Sequence, residues 1–495
     1  MSAPDVSART RQGVFSLLGR QLITFPITFV AGIVLARVLG PTDFGTYATV
    51  SFLVMGASVL LDVGLGAIVI QQQEEPTPGQ LKSIFTAQLL VFGGATAVVM
   101  AIAPWLAGLF NLPADGAWLI RAMALNMLLG TFGTNSTLLL ERHLKFGTFA
   151  RVDVATILLD RAVTLTLAFT GFGAWSFVLG SLSSMATRVA LLYRAAPWAM
   201  GLALDRAVLR RAMGFGAFMQ ATNLTSLARD NMNTLLGGPM FGPKQVGYLT
   251  WGMSLSQTCS QPLVQIVGRV CFPAFARLQD HPEEREKLLT QSLYWLNLAS
   301  YPVLFLLAAH GGNLITFVFG EPWRPALIAL YAFSFRMMGT NVTSVLVGYL
   351  SGTGRSSLSF RIAGAWTVAE WVLAIALATW IGFNGIAVAY AVGVLLPAVW
   401  LLLIARREVK LDLGRIFGLP LALAVPGAAV AVAMQPLATS LVTFIATLLA
   451  SGAVAIGGVL LVERETARSF IGARFARGAA IAPAPTPVND EAPVP

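Results

Sequence analysis

Charge is scarce in this chain. Asp, Glu, Lys and Arg make up 11% of 495 residues, less than half the share of about 25% that soluble domains carry, which excludes a soluble globular protein. Cysteine is nearly absent. Cys259 and Cys271 are the only two, and a separation of twelve residues puts them about 120° apart around a helix, which excludes a local disulfide or metal clip. His143, His281 and His310 lie far apart and form no ligand motif, so neither a metal site nor a cofactor is expected. Long polar segments are missing too. A membrane-bound polysaccharide polymerase or ligase needs large external loops to carry catalytic residues, so an enzyme is not expected. The net charge of +10 is scattered through short connections, which argues against a nucleic-acid partner and makes it a topology signal instead.

What the chain has is apolar length. Hydrophobic residues are 56% of the total and the mean hydropathy is +0.73. About fourteen stretches are long enough to cross a bilayer, which takes about 20 residues each. They are expected at 14–36, 44–70, 83–108, 117–140, 150–170, 173–194, 215–237, 246–270, 289–309, 326–349, 359–381, 383–404, 416–434 and 441–462. The run from Val14 to Ala36 is too long for a cleavable signal and reads as a retained first span. Leu204 to Met213 is a short basic amphipathic stretch expected to lie along the membrane surface. The Pro- and Ala-rich tail is expected to be disordered.

Alternate connections are basic. One side collects Arg142, Lys145 and Arg151, then Arg194, Arg206, Arg210 and Arg211, then Arg277, Arg285 and Lys287, and later Arg355, Arg361, Arg406, Arg407, Lys410 and Arg415. The other side holds little beyond Arg37, Lys244 and Arg324. By the positive-inside rule the rich side is cytoplasmic, and both termini lie there. The loop at 71–82, with Glu74 and Glu75 against Lys82, departs from this pattern.

The chain also repeats itself. Gly40-Pro41-Thr42-Asp43-Phe44-Gly45 follows the first expected span, and Gly242-Pro243-Lys244-Gln245-Val246-Gly247 follows the seventh. Tyr47 and Tyr248 come close behind the two copies. An even number of spans between them preserves orientation, so the halves should relate by an axis along the membrane normal. The fold expected is therefore an all-α integral membrane protein with about fourteen transmembrane helices. Two six-helix lobes related by pseudo-two-fold symmetry are followed by two C-terminal helices. Its divisions are a cytoplasmic N-terminus at 1–13, an N-lobe at 14–200, an interfacial linker at 201–214, a C-lobe at 215–405, two further spans within 416–462, and a cytoplasmic tail at 463–495.

Several spans hold groups that are costly in lipid, where a mid-membrane charge costs about 2.5–3.5 kcal/mol on insertion scales. Ser16, Arg20, Thr24 and Thr28 share a face of the first span. Asn223, Ser226, Asp230 and Asn233 form a stripe on the seventh, with Arg229 beside it. Gln257, Gln261, Gln265 and Arg269 recur on the eighth, and Arg336, Thr340 and Ser344 on the tenth. Asp153, Asp160 and Arg161 lie in the fifth, Asp62 late in the second and Glu370 in the eleventh. Polar hydroxyls and amides alone can serve helix association, typically at about 0.6 kcal/mol per contact. Stripes on both copies of the repeat point further, to a cleft between the halves. Arginine suits a phosphate there, because its planar fork donates two parallel charge-assisted hydrogen bonds. The pairs Asp160–Arg161 and Arg229–Asp230 point about 100° apart on a helix, so each member could pair with another helix instead of with its neighbour.

Four motifs carry a resemblance. They are Leu35-Ala36-Arg37-Val38-Leu39-Gly40-Pro41-Thr42-Asp43-Phe44-Gly45-Thr46-Tyr47, Leu61-Asp62-Val63-Gly64-Leu65, Phe272-Pro273-Ala274-Phe275-Ala276-Arg277-Leu278-Gln279 and Phe319-Gly320-Glu321-Pro322-Trp323. Across roughly 10–405 the chain resembles the Wzx-type polysaccharide transporter flippases of the multidrug/oligosaccharidyl-lipid/polysaccharide exporter superfamily. That resemblance implies a bacterial inner-membrane protein that moves undecaprenyl-pyrophosphate-linked oligosaccharide repeat units from the cytoplasmic to the periplasmic leaflet, by alternating access of two lobes around a cationic cavity. A multidrug cation antiporter or a lipid II flippase on the same fold is the alternative. The family shares no invariant catalytic set, so the candidates come from the residues themselves. Arg20, Arg229, Arg336 and Arg269 are candidates for the pyrophosphate. Asn223, Asn233, Gln257 and Gln261 are candidates for sugar hydroxyls. Asp62, Asp160 and Glu370 are candidates to couple transport to H⁺ or Na⁺. Expected partners are the lipid-linked oligosaccharide, membrane lipids, and the polymerase and chain-length machinery.

Overall fold

A computed structural model describes residues 3–61, 75–203, 205 and 217–463. The described residues are helical and contain no strand. Helices α1 (Ala3–Val38), α2 (Pro41–Leu61), α3 (Pro78–Leu109), α4 (Gly116–Arg142), α5 (Phe146–Phe169) and α6 (Trp175–Ala195) form the first half. The second half begins with the pieces α7 (Ala217–Asp230), α8 (Met232–Leu235) and α9 (Gly237–Phe241). It continues with α10 (Pro243–Arg277), α11 (Pro282–Ala309), α12 (Leu327–Gly352), α13 (Ser356–Ile381), α14 (Asn384–Gly393) and α15 (Leu395–Arg406). Last come α16 (Leu419–Ala433) and α17 (Leu441–Val462). Among the described residues, nine helical stretches are long and apolar enough to cross a membrane. The other expected spans fall on α4, α5, α10, α12 and the broken α7–α9, where polar stripes dilute the apolar run.

Packing follows the two halves. α1 lies against α5, α3 against α4, and α6 against both α4 and α5. In the second half α12 packs against α10 and α11, α14 against α13, and α16 against both α11 and α17. Helix association in lipid depends on close van der Waals packing, because a tail is as apolar as a leucine. His310, wholly buried after α11, ties α17 to the body through a 2.9 Å contact between its Nε2 and Ser451 Oγ.

The halves meet chiefly where α2 runs beside α10. Each begins with one copy of the Gly-Pro repeat. A Cβ on Gly45 would overlap the Pro243 carbonyl, and a Cβ on Gly247 would overlap the Pro41 carbonyl. The contact is reciprocal, as a two-fold relation requires. The same end of the molecule is sealed by donors from the first half to backbone carbonyls of the second. Arg37 Nη1 donates to Phe317 O at 2.8 Å, and Asn111 Nδ2 donates to Pro239 O at 3.0 Å. In the opposite direction the buried Trp323 indole donates to Ala36 O at 2.8 Å.

At the far end, Arg355 forks onto Glu408, with Nη2–Oε2 at 2.5 Å, and Tyr349 Oη donates to the same Oε2 at 2.8 Å. The Arg355 guanidinium holds the Glu408 carboxyl below its ordinary value of 4.5. The expected stretch along the membrane surface, 204–213, lies outside the described residues except for Asp205, as does the tail beyond Glu463.

Two outcomes are expected. Gly45→Ala and Gly247→Ala should each destabilise the protein by about 1–3 kcal/mol, the usual cost of overpacking, while Gly364→Ala, which meets nothing within 4 Å, should not. Thermal unfolding in detergent checks this, and equal effects at all three sites would contradict the close crossing. The Glu408–Arg355 contribution is complete above pH 4.5 and disappears as pH falls through the lower folded-state value. Glu408→Gln should therefore flatten the stability profile below pH 4.5, as read from acid unfolding curves.

Candidate functional site

Beyond the sealed end, the space between α2 and the second half widens into a cavity of about 500 Å³. Ala48, Ser51, Phe52 and Met55 of α2 form one wall. The opposite wall comes from the broken helix, α10, α12 and α13. It presents Arg229, Asp230, Asn231, Asn233, Thr250, Gln257, Gln261, Arg336, Thr340 and Trp366.

The break is what sets the position of Arg229. A continuous helix was expected over 215–237, but α7 ends at Asp230 and α8 restarts at Met232. The Asn231 side chain and its N–H both donate to Leu227 O at 3.1 Å, at the last intact bond before the break. Arg229 then sits on the cavity wall with its guanidinium 4.8 Å from the centre of the Trp366 ring. Its Nε also pairs with Asp230 Oδ1 at 3.0 Å. Arg336 reaches in from α12, its guanidinium 4.0 Å from the Tyr390 ring centre. An arginine over an aromatic face is held by the ring quadrupole, which leaves its edge donors to other partners, Asp230 among them for Arg229.

Behind this wall Glu370 is 0% exposed. Its two carboxylate oxygens and the Trp366 indole nitrogen have no well-formed hydrogen bond among the described residues. Arg336 and Arg229 are the cations whose fields reach it.

The cavity thus collects Arg229, Arg336, Asn233, Gln257 and Gln261 from the sequence candidates. Within it Asn233 Nδ2 donates to Thr250 Oγ1 at 3.1 Å. Asn223 does not share the Asn233 wall, because the break interrupts the expected stripe. It is exposed and lines an adjoining hollow of about 380 Å³ together with Asp230 and Asn231. Arg20 lies elsewhere, in the first half, where it and Arg188 both bind the carboxylate of Asp153. Asp160 pairs with its chain neighbour Arg161 at 3.4 Å. Both adjacent acid–arginine pairs thus close on themselves and not on other helices, because a long guanidinium can fold back across 100° of helix. Asp62 and the side chain of Arg269 lie outside the described residues.

Sequence reasoning missed three participants. Trp366 and Tyr390 sit in apolar runs where an aromatic signals nothing but packing. Arg188 carried a legible signal, a charge inside a span, but it lies outside the repeat-equivalent stripes.

An apolar groove of about 230 Å³ runs beside the cavity, between α1 and α10. Phe25, Phe29, Ile33, Leu255 and Phe319 line it, and Thr250 and Ser254 belong to both spaces.

Residues 34–328 match the family described as polysaccharide biosynthesis protein. The chain is 28% identical over 364 residues, 72% of each chain, to the succinoglycan biosynthesis transport protein ExoT of Rhizobium meliloti (strain 1021). It is 23% identical to the lipopolysaccharide biosynthesis protein WzxC of Escherichia coli (strain K12), over 66% of this chain and 67% of that one. Among solved structures it is similar to lipid II flippase MurJ in an inward closed conformation, with a TM-score of 0.72 at 10% identity, covering 92% of this chain and 99% of MurJ. An inward-facing multidrug transporter of the MATE family matches with a TM-score of 0.54 at 14% identity, covering 80% of this chain and 98% of that one.

Asp153 is 9% exposed and is the shared partner of two arginines that are 31% exposed each. Asp153→Ala should cost about 3 kcal/mol, the low end for stripping a partner from buried charge, since both guanidinium groups are partly accessible. Unfolding in detergent measures it, and a change below a few tenths would show that the arginines need no counter-charge.

Proposed function

The chain belongs to the polysaccharide biosynthesis protein family of multi-pass membrane transporters, and from that premise we propose that it flips undecaprenyl-pyrophosphate-linked oligosaccharide repeat units from the cytoplasmic to the periplasmic leaflet. The observation that carries the reading is the pair of arginines, Arg229 and Arg336, lining one cavity with each guanidinium over an aromatic ring. Two guanidinium forks in one cavity suit the oxygens of a diphosphate. Gln257, Gln261 and Asn233 on the same wall supply amide donors and acceptors for sugar hydroxyls.

The amphiphile needs room for both of its ends. The head group occupies the polar cavity while the polyprenyl chain leaves through the α1–α10 groove, whose walls are mostly phenylalanine, isoleucine, leucine and tryptophan with a few hydroxyls. Thr250 and Ser254 stand at the boundary between the two spaces. The protein lies in the bacterial inner membrane with both termini cytoplasmic, so the Gly45–Gly247 end is periplasmic. The described state is then shut toward the periplasm, and rocking of the lobes 14–200 and 215–405 that parts the α2–α10 crossing exposes the site there.

Export needs a driving bias. Glu370, buried behind both arginines, serves as the exchange point for a proton or Na⁺, and Asp62 and Asp160 are further candidates. The released units pass to the polymerase and chain-length machinery.

Arg229→Ala and Arg336→Ala should each cut export at least tenfold, the loss of a charge-assisted bond worth about 1.5–3 kcal/mol, and the double variant should abolish it. Accumulation of unflipped lipid-linked repeat units, measured beside the amount of protein in the membrane, checks this. Full export by a normally abundant double variant would refute the site.

A further inference from the structure

The break that presents Arg229 takes several backbone groups off the helical ladder, the Arg229 carbonyl and the Met232 N–H among them. Among the described residues neither the Arg229 carbonyl nor the Met232 N–H makes the bond that an unbroken helix would give it. In a bilayer such groups must be satisfied within the protein. One side chain, 0% exposed, satisfies both: Tyr390 Oη donates to Arg229 O at 2.6 Å and accepts the Met232 N–H at 3.1 Å. The ring of the same residue forms the surface under the Arg336 guanidinium, 4.0 Å away. Phe333 holds that ring from another side, with centroids 5.6 Å apart.

We propose that Tyr390 is the positioning residue of the anion site, fixing Arg229 through its hydroxyl and Arg336 through its ring. This rests on the reading of the two arginines as the pyrophosphate site. Tyr390 touches no substrate and acts through the residues that do. Its two functions are separable, because the hydroxyl can be deleted while the ring stays.

Tyr390→Phe removes both bonds to the break and leaves the support of Arg336 in place. Its effect therefore depends on Arg229 and is independent of Arg336. The test is isothermal titration of inorganic pyrophosphate into the purified full chain in lipid nanodiscs. Tyr390→Phe should weaken binding by about tenfold, the scale of one or two net hydrogen bonds. On an Arg229→Ala background the same change should cost less than about twofold, while on Arg336→Ala the full factor should return, a non-additivity that a generally loosened fold does not produce. Unaltered binding in Tyr390→Phe, or an equal loss on both backgrounds, overturns the proposal.

A second measurement makes no use of the ligand. Amide hydrogen exchange across 229–235 should accelerate in Tyr390→Phe, with the rest of the chain unchanged. Unchanged exchange there overturns the proposal even if pyrophosphate binding falls. Should the wild-type chain bind no pyrophosphate, the reading of the arginines fails, and the exchange result still decides whether Tyr390 holds the break.

Discussion

Two membrane helices can bring their backbones into contact only where neither interposes a Cβ. α2 and α10 do so at Gly45 and Gly247, each glycine pressed on the carbonyl of the other helix's opening proline. The consequence is geometric. A pair touching at one end and diverging along its length leaves a space between the arms, and the cavity residues Ser51 and Met55 on α2, and Thr250, Gln257 and Gln261 on α10, lie progressively farther from the contact. The width of that space is set by the angle between the helices. Any change of that angle must therefore pass through the two glycines.

This is also where the sequence is most legible. Gly-Pro-x-x-x-Gly reads as ordinary turn chemistry in one copy. Two copies separated by an even number of spans predict a symmetric relation, and the reciprocal contact agrees with it. The polar residues of the interior are legible because lipid makes them costly, so Arg229, Arg336, Gln257 and Gln261 stand out against their apolar neighbours. What periodicity misses is the break at Asn231. A stripe drawn on an ideal helix joins Asn223 to Asn233, and one interrupted turn separates them. The residue that makes the break tolerable, Tyr390, lies about 160 positions away in an apolar run, where nothing in the local pattern marks its hydroxyl.

The interior charges differ in what holds them. Arg20 and Arg188 share Asp153, an arrangement whose Coulomb energy opposes the cost of desolvation and which commits one nitrogen of each arginine to a carboxylate. Arg229 and Arg336 stand on Trp366 and Tyr390. A ring supports the face of the guanidinium while its N–H groups point along the edge. The first arrangement is an ion pair, the second adds an aromatic face, and Arg229 combines the two through its bond to Asp230. Counting arginines inside the membrane, as sequence reading does, treats the two kinds alike.

Both arginines of the cavity belong to the second half, whereas α2 faces them with Ala48, Ser51, Phe52 and Met55, which carry no charge. That asymmetry constrains how such a site can work. Were the anion clamped by arginines from both halves, opening on either side would have to break a charge-assisted bond, each worth about 1.5–3 kcal/mol, and the closed state would become a trap. With the charges confined to one half, an anion bound there would ride with that body while the uncharged wall of α2 moved past it. The affinity of the arginines can then stay nearly constant through the cycle, and direction must come from outside the clamp. Glu370 is suited to that part, because it lies behind the same two arginines and beyond the cavity surface. A change in its charge alters their hold on an anion without touching the anion itself.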